Sequence, residues 1–337
     1  MENKPANTAD IAKLAGVSKM TVSRTLRFPH MVSAHTREKV EAVIRKLNYR
    51  PDPFTAVFTS RLRRGRHPKS TACIGLLCFG VDHESLEMPF YRDLLAGTRQ
   101  TSNALGYELL VITDRELMKT KRETTQMLKA RGVLGLVVAP LDVPKGKLPL
   151  LDWDQFAAVA LGYSLEEPAI HRVCTNHSGS MVTAVQTLLD RGFQRIGCCL
   201  VKKTDRRMNQ LWQGAFYTQA TLFPTRDRIP IFLDEEKGAE AFSRWFDRHQ
   251  PEAIIGSSKR FFDWLTASGR RVPQDLEYVG LGLHESPGWN AEGVAVDATE
   301  LGVAAVELLT TQFHHAQYGI PPRPRTLLVD PRWQKRR

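Results

Sequence analysis

From residue 71 onward, short apolar runs alternate with longer amphipathic segments, and this alternation restricts the fold more than any other feature of the chain. The apolar runs read CIGLLCFG, YELLVIT, VLGLVVAP, AAVALGY, RIGCCLV, AIIGSS and YVGLGL. Helical periodicity lies between them, as in residues 91–104, 121–130, 179–190 and 299–315. Apolar strands separated by helices are typical of a parallel sheet covered on both faces. The region is too long for one sheet, so it predicts two doubly wound α/β lobes, with ligands outside the carboxyl ends of the strands.

Residues 7–27 contain two short amphipathic segments separated by a glycine. The first, NTADIAKLA, has an apolar stripe of Ile11, Leu14 and Ala15. In the second, Ser18 is a suitable N-cap, because its hydroxyl oxygen can accept from N–H groups of the first turn. One face of this second helix carries Val22, Thr25 and Leu26, whereas the opposite face carries Met20, Arg24 and Arg27 with Ser23 at its flank. Two helices joined by a tight turn, the second with a polar outer face, form the helix-turn-helix pattern.

The positive charge of the chain is concentrated at the same end. Residues 1–69 hold 15 Lys or Arg and 5 Asp or Glu, a net charge of +10, out of +11 for the whole chain. A basic excess confined to one region is typical of a nucleic-acid partner, because neutralised phosphates release counterions. The alternative is an ordinary helical hairpin with solvated charges. A chain that is basic for solubility alone would spread its charge, so the distribution favours DNA binding.

The segment after the pair predicts a third helix and then a short fourth one. In SAHTREKVEAVIRKLNY, Ser33 is a cap candidate, and the apolar residues Val40, Val43, Ile44 and Leu47 recur at helical spacing,. Residues 51–70 then combine Pro51 and Pro53 with apolar Phe54, Val57 and Phe58 and a basic end. A helix this short is marginal by itself in water, so we expect it to form only against a partner.

Residues 7–52 resemble the lactose/galactose repressor family of bacterial transcription regulators. The similarity lies in DIAKLAGVSKMTVSRTLR and VSAHTREKVEAVIRKLNYRPD, and KMTVSRTLRFP is especially similar to the gluconate and idonate regulators of that family. The resemblance implies a small all-α helix-turn-helix domain followed by an α/β periplasmic-binding-protein-like domain of two doubly wound lobes. It implies a homodimer that binds a near-palindromic double-stranded DNA operator and is controlled by a small-molecule effector in the interlobe cleft.

The resemblance also divides the chain into three parts. These are a helix-turn-helix domain at 1–50, a hinge helix and basic linker at 51–70, and an effector-binding and dimerisation domain at 71–337. Within the last, lobe 1 is expected at about 71–173 and 297–321, and lobe 2 at about 174–296 and 322–337. The expected function is repression of carbohydrate-related genes. The alternatives are a DNA-binding regulator without an effector and, more remotely, a sugar-active enzyme or a sugar-binding protein.

By resemblance, bases are read by Lys19, Met20 and Arg24, and Phe58 takes the place of the Leu that the family inserts between base steps in the minor groove. Lys19 and Arg24 suit guanine O6 and N7, with Arg better placed for a bidentate contact. Met20 can touch a thymine methyl group or a sugar.

Hydroxyl groups near the helix starts are candidates for phosphate contacts, which position a protein without reading sequence. They are Thr21, Ser23, Ser33 and Thr36. Simple helix capping is the alternative reading, and for Ser33 the two readings are equally supported.

The candidate effector residues are Phe90, Tyr91, Asn176, Trp212 and His284. The family usually places Asp-Asn at 176–177, an Arg at 211 and an Asp at 282, where this chain has Asn176, His177, Leu211 and Gly282. Most charged groups that grip a sugar are therefore missing. We expect a sugar or sugar derivative held by aromatic stacking and neutral amide contacts, with His284 available to an anionic group. Asn176 can instead simply cap a helix.

Other classes of protein lack support in the sequence. There is no GxSxG, GxxxxGK or HExxH motif, and NHSGS at 176–180 opens a helix, so we expect no enzyme and no cofactor,. The five cysteines are scattered on apolar runs, which indicates buried thiols in a cytoplasmic protein and no metal site,. No apolar run approaches the roughly 18 residues of a membrane helix.

Overall fold

A computed structural model of the chain contains two compact units, Met1–Pro68 and Lys69–Arg337. The described residues are 8–27, 32–47, 72–81, 83–117, 120–148, 151–235, 238–283 and 291–336. Each unit has an apolar core of its own. The hinge helix expected at 51–70 lies outside the described residues.

The described residues form three helices in the first unit, α1 to α3, and alternating strands and helices in the second. The helices are α1 (Thr8–Ala15), α2 (Lys19–Arg27), α3 (Ala34–Lys46), α4 (His83–Leu86), α5 (Pro89–Ala104), α6 (Lys121–Ala130), α7 (His177–Asp190), α8 (Lys202–Arg207), α9 (Leu211–Gln219), α10 (Gly238–His249), α11 (Lys259–Ala267) and α12 (Ala298–His314). The strands are β1 (Cys73–Cys78), β2 (Glu108–Thr113), β3 (Val133–Val138), β4 (Gly146–Lys147), β5 (Ala157–Leu161), β6 (Leu165–Glu167), β7 (His171–Thr175), β8 (Ile196–Val201), β9 (Phe232–Asp234), β10 (Ala253–Gly256), β11 (Glu277–Leu283), β12 (Glu292–Ala295), β13 (Thr326–Val329) and β14 (Arg332–Gln334).

In the first unit, α1, α2 and α3 close around a small apolar core. Its buried members are Ile11, Ala12, Ala15, Val22 and Val40. Gly16 adopts a φ of +64° in the turn between α1 and α2, a conformation that glycine reaches without steric cost,. The expectation that Leu14 belongs to the buried stripe is wrong, because Leu14 is 57% exposed. Leu14 lies roughly 100° around the helix from the centre of the face that α1 buries.

Lobe 1 of the second unit contains a six-stranded sheet in the order β13-β7-β5-β3-β1-β2, with all neighbours parallel. β1 and β5 are buried along their whole length, as expected for strands covered on both faces,. On one face α5 packs closely against α12. A Cβ at Gly97 of α5 would lie 2.1 Å from the carbonyl oxygen of Thr299, so only glycine permits this approach.

Lobe 2 contains a second six-stranded sheet in the order β14-β12-β11-β10-β8-β9. Neighbours are parallel except for β14, which is antiparallel to β12. One face packs under α7 and α9, and the other packs against α10 and α11 through aromatic side chains. Among the latter, Phe242, Phe246, Phe261 and Phe262 are buried.

The chain crosses between the lobes three times. The crossings lie between β7 and α7, between β12 and α12, and between β13 and β14. The expected last boundary at 321/322 is wrong, because Thr326–Val329 pairs in parallel with β7 and so belongs to lobe 1. The chain therefore enters lobe 2 for the last time at residues 330–331, just before β14.

Candidate DNA-binding surface and interlobe site

Helix α2 separates its side chains into a buried and an exposed face. Val22 is 0% exposed and Thr25 is 5% exposed, whereas Lys19, Met20 and Arg24 are exposed, Met20 to 64%. An apolar thioether left this open to solvent contributes nothing to the core. The three residues expected to read bases therefore lie on the free side of the helix, with Lys19 and Met20 in its first turn.

Ser18 caps the start of α2, as expected. The Thr21 N–H donates to Ser18 Oγ at 3.1 Å, and the two hydroxyl oxygens lie 2.9 Å apart. The same arrangement begins α3, where Ser33 Oγ accepts from the Thr36 N–H at 3.3 Å and donates to Thr36 Oγ1 at 2.9 Å. Capping is thus the contact that these hydroxyl groups make in the protein without DNA.

Three candidate side chains fall outside the described part of the chain. They are Ser23, whose side-chain placement is not described, and Phe58 and His284. Their roles stay predictions.

Tyr163, His177 and Trp212 bring aromatic rings from both lobes together in the cleft. His177 begins α7 of lobe 2, and its ring centroid lies 6.3 Å from that of Tyr163 in lobe 1 and 5.2 Å from that of Trp212 on α9. His177 is 6% exposed and Trp212 is 2% exposed. His177 Nδ1 and Trp212 Nε1 are buried without a hydrogen-bond partner. Buried polar atoms of this kind are normally satisfied, so they are available to a ligand or to water.

Burial lowers the pKa of His177 to about 4. The imidazole is therefore neutral at physiological pH, with one nitrogen that donates and one that accepts. Sequence reasoning noted position 177 only as a departure from the family pattern. The signal that could have identified it is its place directly after β7, where the carboxyl end of a parallel strand meets the start of a helix.

Trp212 does not offer an open ring face. Its indole belongs to the apolar core of lobe 2 and lies beside Gly282, where an added Cβ would be 3.6 Å from the ring. In the connection before α9, Asn209 and Gln210 both adopt left-handed φ values, 58° and 57°. The group of Trp212 that is left for a ligand is its N–H, which has no hydrogen-bond partner.

Both ends of the Asn176 amide are already engaged. Asn176 Oδ1 accepts from the Gly179 N–H at 2.9 Å and caps α7, while Nδ2 donates to Asp330 Oδ1 at 2.9 Å. The capping alternative is therefore what the structure shows. The second bond also connects the first chain crossing to the third.

Phe90 and Tyr91 lie at the start of α5, with ring centroids 5.3 Å apart and nearly perpendicular planes. Both are partly buried against the lobe 1 core. The Tyr91 hydroxyl donates to the Pro140 carbonyl at 3.4 Å. Burial raises the pKa of Tyr91, and the positive charge of Arg207 on the other lobe opposes that rise.

Asp142, Lys203 and Arg207 form ion pairs between the lobes, which sequence reasoning missed. Asp142 follows β3 in lobe 1, and its two carboxylate oxygens accept from Lys203 Nζ at 2.7 Å and from Arg207 Nη1 at 3.1 Å. Arg207 Nε is buried without a partner. The cleft thus contains a cation, Arg207, that the family comparison of positions 176, 211 and 282 did not reveal.

The described residues contain no cluster of three or more His, Cys, Asp or Glu side chains that could hold a metal ion. Among them, no helix combines the length and apolarity that a membrane crossing requires. Each of the five thiols is buried, and burial raises the pKa of Cys78 to about 12.

The two units match different family descriptions. Residues 8–52 match bacterial regulatory proteins of the lacI family, and residues 185–337 match the periplasmic binding protein-like domain. The chain is 27% identical to the HTH-type transcriptional repressor PurR of Photobacterium profundum, over 82% of this chain and 81% of that one. It is 25% identical to the ribose operon repressor of Haemophilus influenzae, over 97% and 96% of the two chains.

Solved structures confirm the fold class expected from the sequence. The transcriptional regulator CelR in complex with cellobiose has a TM-score of 0.58 at 21% identity, with 98% of this chain and 99% of that chain covered. The lac repressor dimer bound to operator and the anti-inducer ONPF has a TM-score of 0.55 at 22% identity, with 99% and 98% covered. The chain therefore combines a lacI-family helix-turn-helix domain with a periplasmic binding protein-like domain, and it is similar over most of its length to transcriptional repressors.

Proposed function

We propose that the protein is a homodimeric repressor that reads a near-palindromic operator through Lys19, Met20 and Arg24 and controls carbohydrate-related genes. The observation that carries this proposal is the division of α2 into a buried face and an exposed face that bears these three side chains. Arg24 has the planar fork that binds guanine O6 and N7 together. The basic charge of residues 1–69 supplies the affinity for phosphates that does not depend on sequence,.

Quantitative binding to the selected operator and to random duplex DNA tests this role. Arg24→Ala is expected to weaken operator binding by about 1–3 kcal/mol and to change binding to random DNA little. Arg45→Ala is the matched control, because Arg45 is an exposed arginine of the same unit, on α3. Equal losses on both DNAs for Arg24→Ala would remove its role in reading bases.

We further propose that a small carbohydrate or sugar derivative binds between the lobes and changes the affinity for DNA. Support comes from the unpartnered His177 Nδ1 and Trp212 Nε1, which can accept from and donate to a polyol,. The ribose operon repressor and the cellobiose complex of CelR point to the same class of ligand. The buried Trp212 ring shifts the expected contact from stacking to hydrogen bonding at the edge of the indole.

A regulator without an effector is the second candidate. It is favoured by the engaged Asn176 amide and by the closed Trp212 ring face, since both reduce the groups open to a ligand. Thermal-shift screening against neutral sugars and sugar acids separates the two candidates, because a ligand of the native state raises the melting temperature. His177→Phe should abolish the shift that the wild type shows, whereas a screen in which no compound stabilises the wild type favours the second candidate.

A further inference from the structure

Two ion pairs connect the lobes of the second unit at a place remote from the chain crossings. Asp142 of lobe 1 accepts from Lys203 and Arg207 of lobe 2, at 2.7 and 3.1 Å. The other ion pair of the described residues that joins the lobes is Arg332–Asp297, which lies at the crossings themselves. Asp142 therefore holds the lobes together on a side where no chain connection does so.

The sheet order gives the distance between this contact and the crossings. β3, which precedes Asp142, lies two strands from β7, and β8, which precedes Lys203, lies three strands from β12. Neighbouring strands are about 4.8 Å apart, so the contact lies about 10–14 Å from the strands where the chain crosses. A rotation of one lobe about the crossings would separate Asp142 from both partners.

Lys203 and Arg207 are arranged to hold one carboxylate. They are four residues apart on α8, so they share a helix face, and each donates to a different oxygen of Asp142,. Paired engagement of both oxygens is more selective for geometry than a single contact. All three residues are partly exposed, with 65% of the Asp142 side chain, 60% of Lys203 and 26% of Arg207 open to solvent.

We propose that Asp142, Lys203 and Arg207 form an interlobe latch that stabilises the closed state of the cleft in the absence of ligand. This inference deepens the regulation of the interlobe site and rests on the proposed function for its biological role. Exposed ion pairs contribute about 0.2–1 kcal/mol each, which is little for folding. Two such pairs shift an open-to-closed ratio by about 2- to 30-fold, which is enough to control a cleft.

The latch acts on ligand binding through that ratio. The apparent affinity of a ligand depends on the fraction of protein in the state that binds it. The latch lowers the apparent affinity of a ligand that binds the open cleft, because fewer molecules are open. It raises the apparent affinity of a ligand that binds the closed cleft. The latch thus sets the open-to-closed ratio of the protein before any ligand binds.

Distance measurements on the full-length protein without DNA or ligand test the latch. Spin labels on Arg122→Cys in lobe 1 and Arg244→Cys in lobe 2 report the separation of the lobes by pulsed electron resonance. The native thiols are buried, so the labels go to the introduced cysteines. Asp142→Asn should raise the open-to-closed ratio by about 2- to 30-fold.

Glu235→Gln is the matched control, because Glu235 pairs with Lys202 on the same helix but within lobe 2. It should leave the distances unchanged. Raising NaCl from about 0.05 to about 0.5 M should open the wild type and have little effect on Asp142→Asn, since salt screens exposed pairs. Identical distances in Asp142→Asn and the wild type, or an equal shift in Glu235→Gln, would overturn the latch. Neither result would bear on DNA or sugar binding.

Discussion

Acidification should destabilise the protein by protonating His177. The variant His177→Phe removes this contribution, so comparison with the wild type measures it. The His177 pKa is about 4 in the folded protein, against an ordinary value of 6.5, because the ring is buried in the cleft. The unfolded chain therefore binds a proton first as the pH falls. The contribution of His177 to stability is fully present above about pH 6.5 and is lost between about pH 6.5 and pH 4.

The magnitude follows from this difference in pKa. A pKa difference of 2.5 corresponds to about 3 kcal/mol when both states are protonated, and about 2 kcal/mol of this is lost between pH 7.5 and pH 5,. No charged partner in the described residues opposes that loss, since burial is the cause of the shift.

Urea unfolding gives the free energy of unfolding of the wild type and of His177→Phe at pH 7.5 and at pH 5. The effect is the difference between the two proteins in how much this free energy changes with pH. Other titrating groups contribute equally to both proteins and cancel. The wild type should lose about 2 kcal/mol more than the variant between the two pH values. His315→Gln, at an exposed histidine that follows α12, should behave like the wild type. The same pH dependence in the wild type and in His177→Phe would refute the reasoning.

Three further changes test the packing of the second unit, each by chemical denaturation. Arg191→Ala should cost about 2–3 kcal/mol, because it removes a bidentate partner from the buried carboxylate of Glu292; a loss below 0.5 kcal/mol, taken as roughly the value for an unimportant surface pair, would contradict this,. Gln210→Gly should stabilise the protein by about 1 kcal/mol, since Gln210 has a φ of 57°, and a destabilised variant would show that its side chain matters more than its backbone,. Gly97→Ala should destabilise by at least about 2 kcal/mol through the contact with the Thr299 carbonyl, and a neutral result would mean that α5 and α12 can move apart at little cost,.

Local patterns in the sequence were enough to predict the elements that are long and regular. The periodicity of residues 121–130 matches α6 in both bounds, and YVGLGL lies within β11. The cap at Ser18 and the exposed Arg24 follow from side-chain spacing on α2, because one helical turn determines which residues share a face. These features depend on residues close in sequence, so they can be predicted from the sequence without the tertiary structure.

Short strands at or next to the sheet edges were not predicted by the same reasoning. β9 and β14 have three residues each, and β12 and β13 have four, which is too short for periodicity to distinguish a strand from a loop,. The third crossing was misplaced for that reason. Its true position depends on the pairing of β13 with β7, which lies about 150 residues earlier in the chain and has no local signature.

The cleft was decided by tertiary structure. Asp142 meets Lys203 and Arg207 across some 60 residues, and Tyr163 meets His177 from the opposite lobe. Sequence spacing specifies which side of a strand or helix a residue occupies, but these contacts require two sheets to be placed against each other by three crossings. The closing of Trp212 into the lobe 2 core has the same origin, because burial is a property of what packs around a residue,. The sequence by itself thus determined helix α2 and its exposed face, whereas only the packing of two lobes decided which side chains the interlobe site contains.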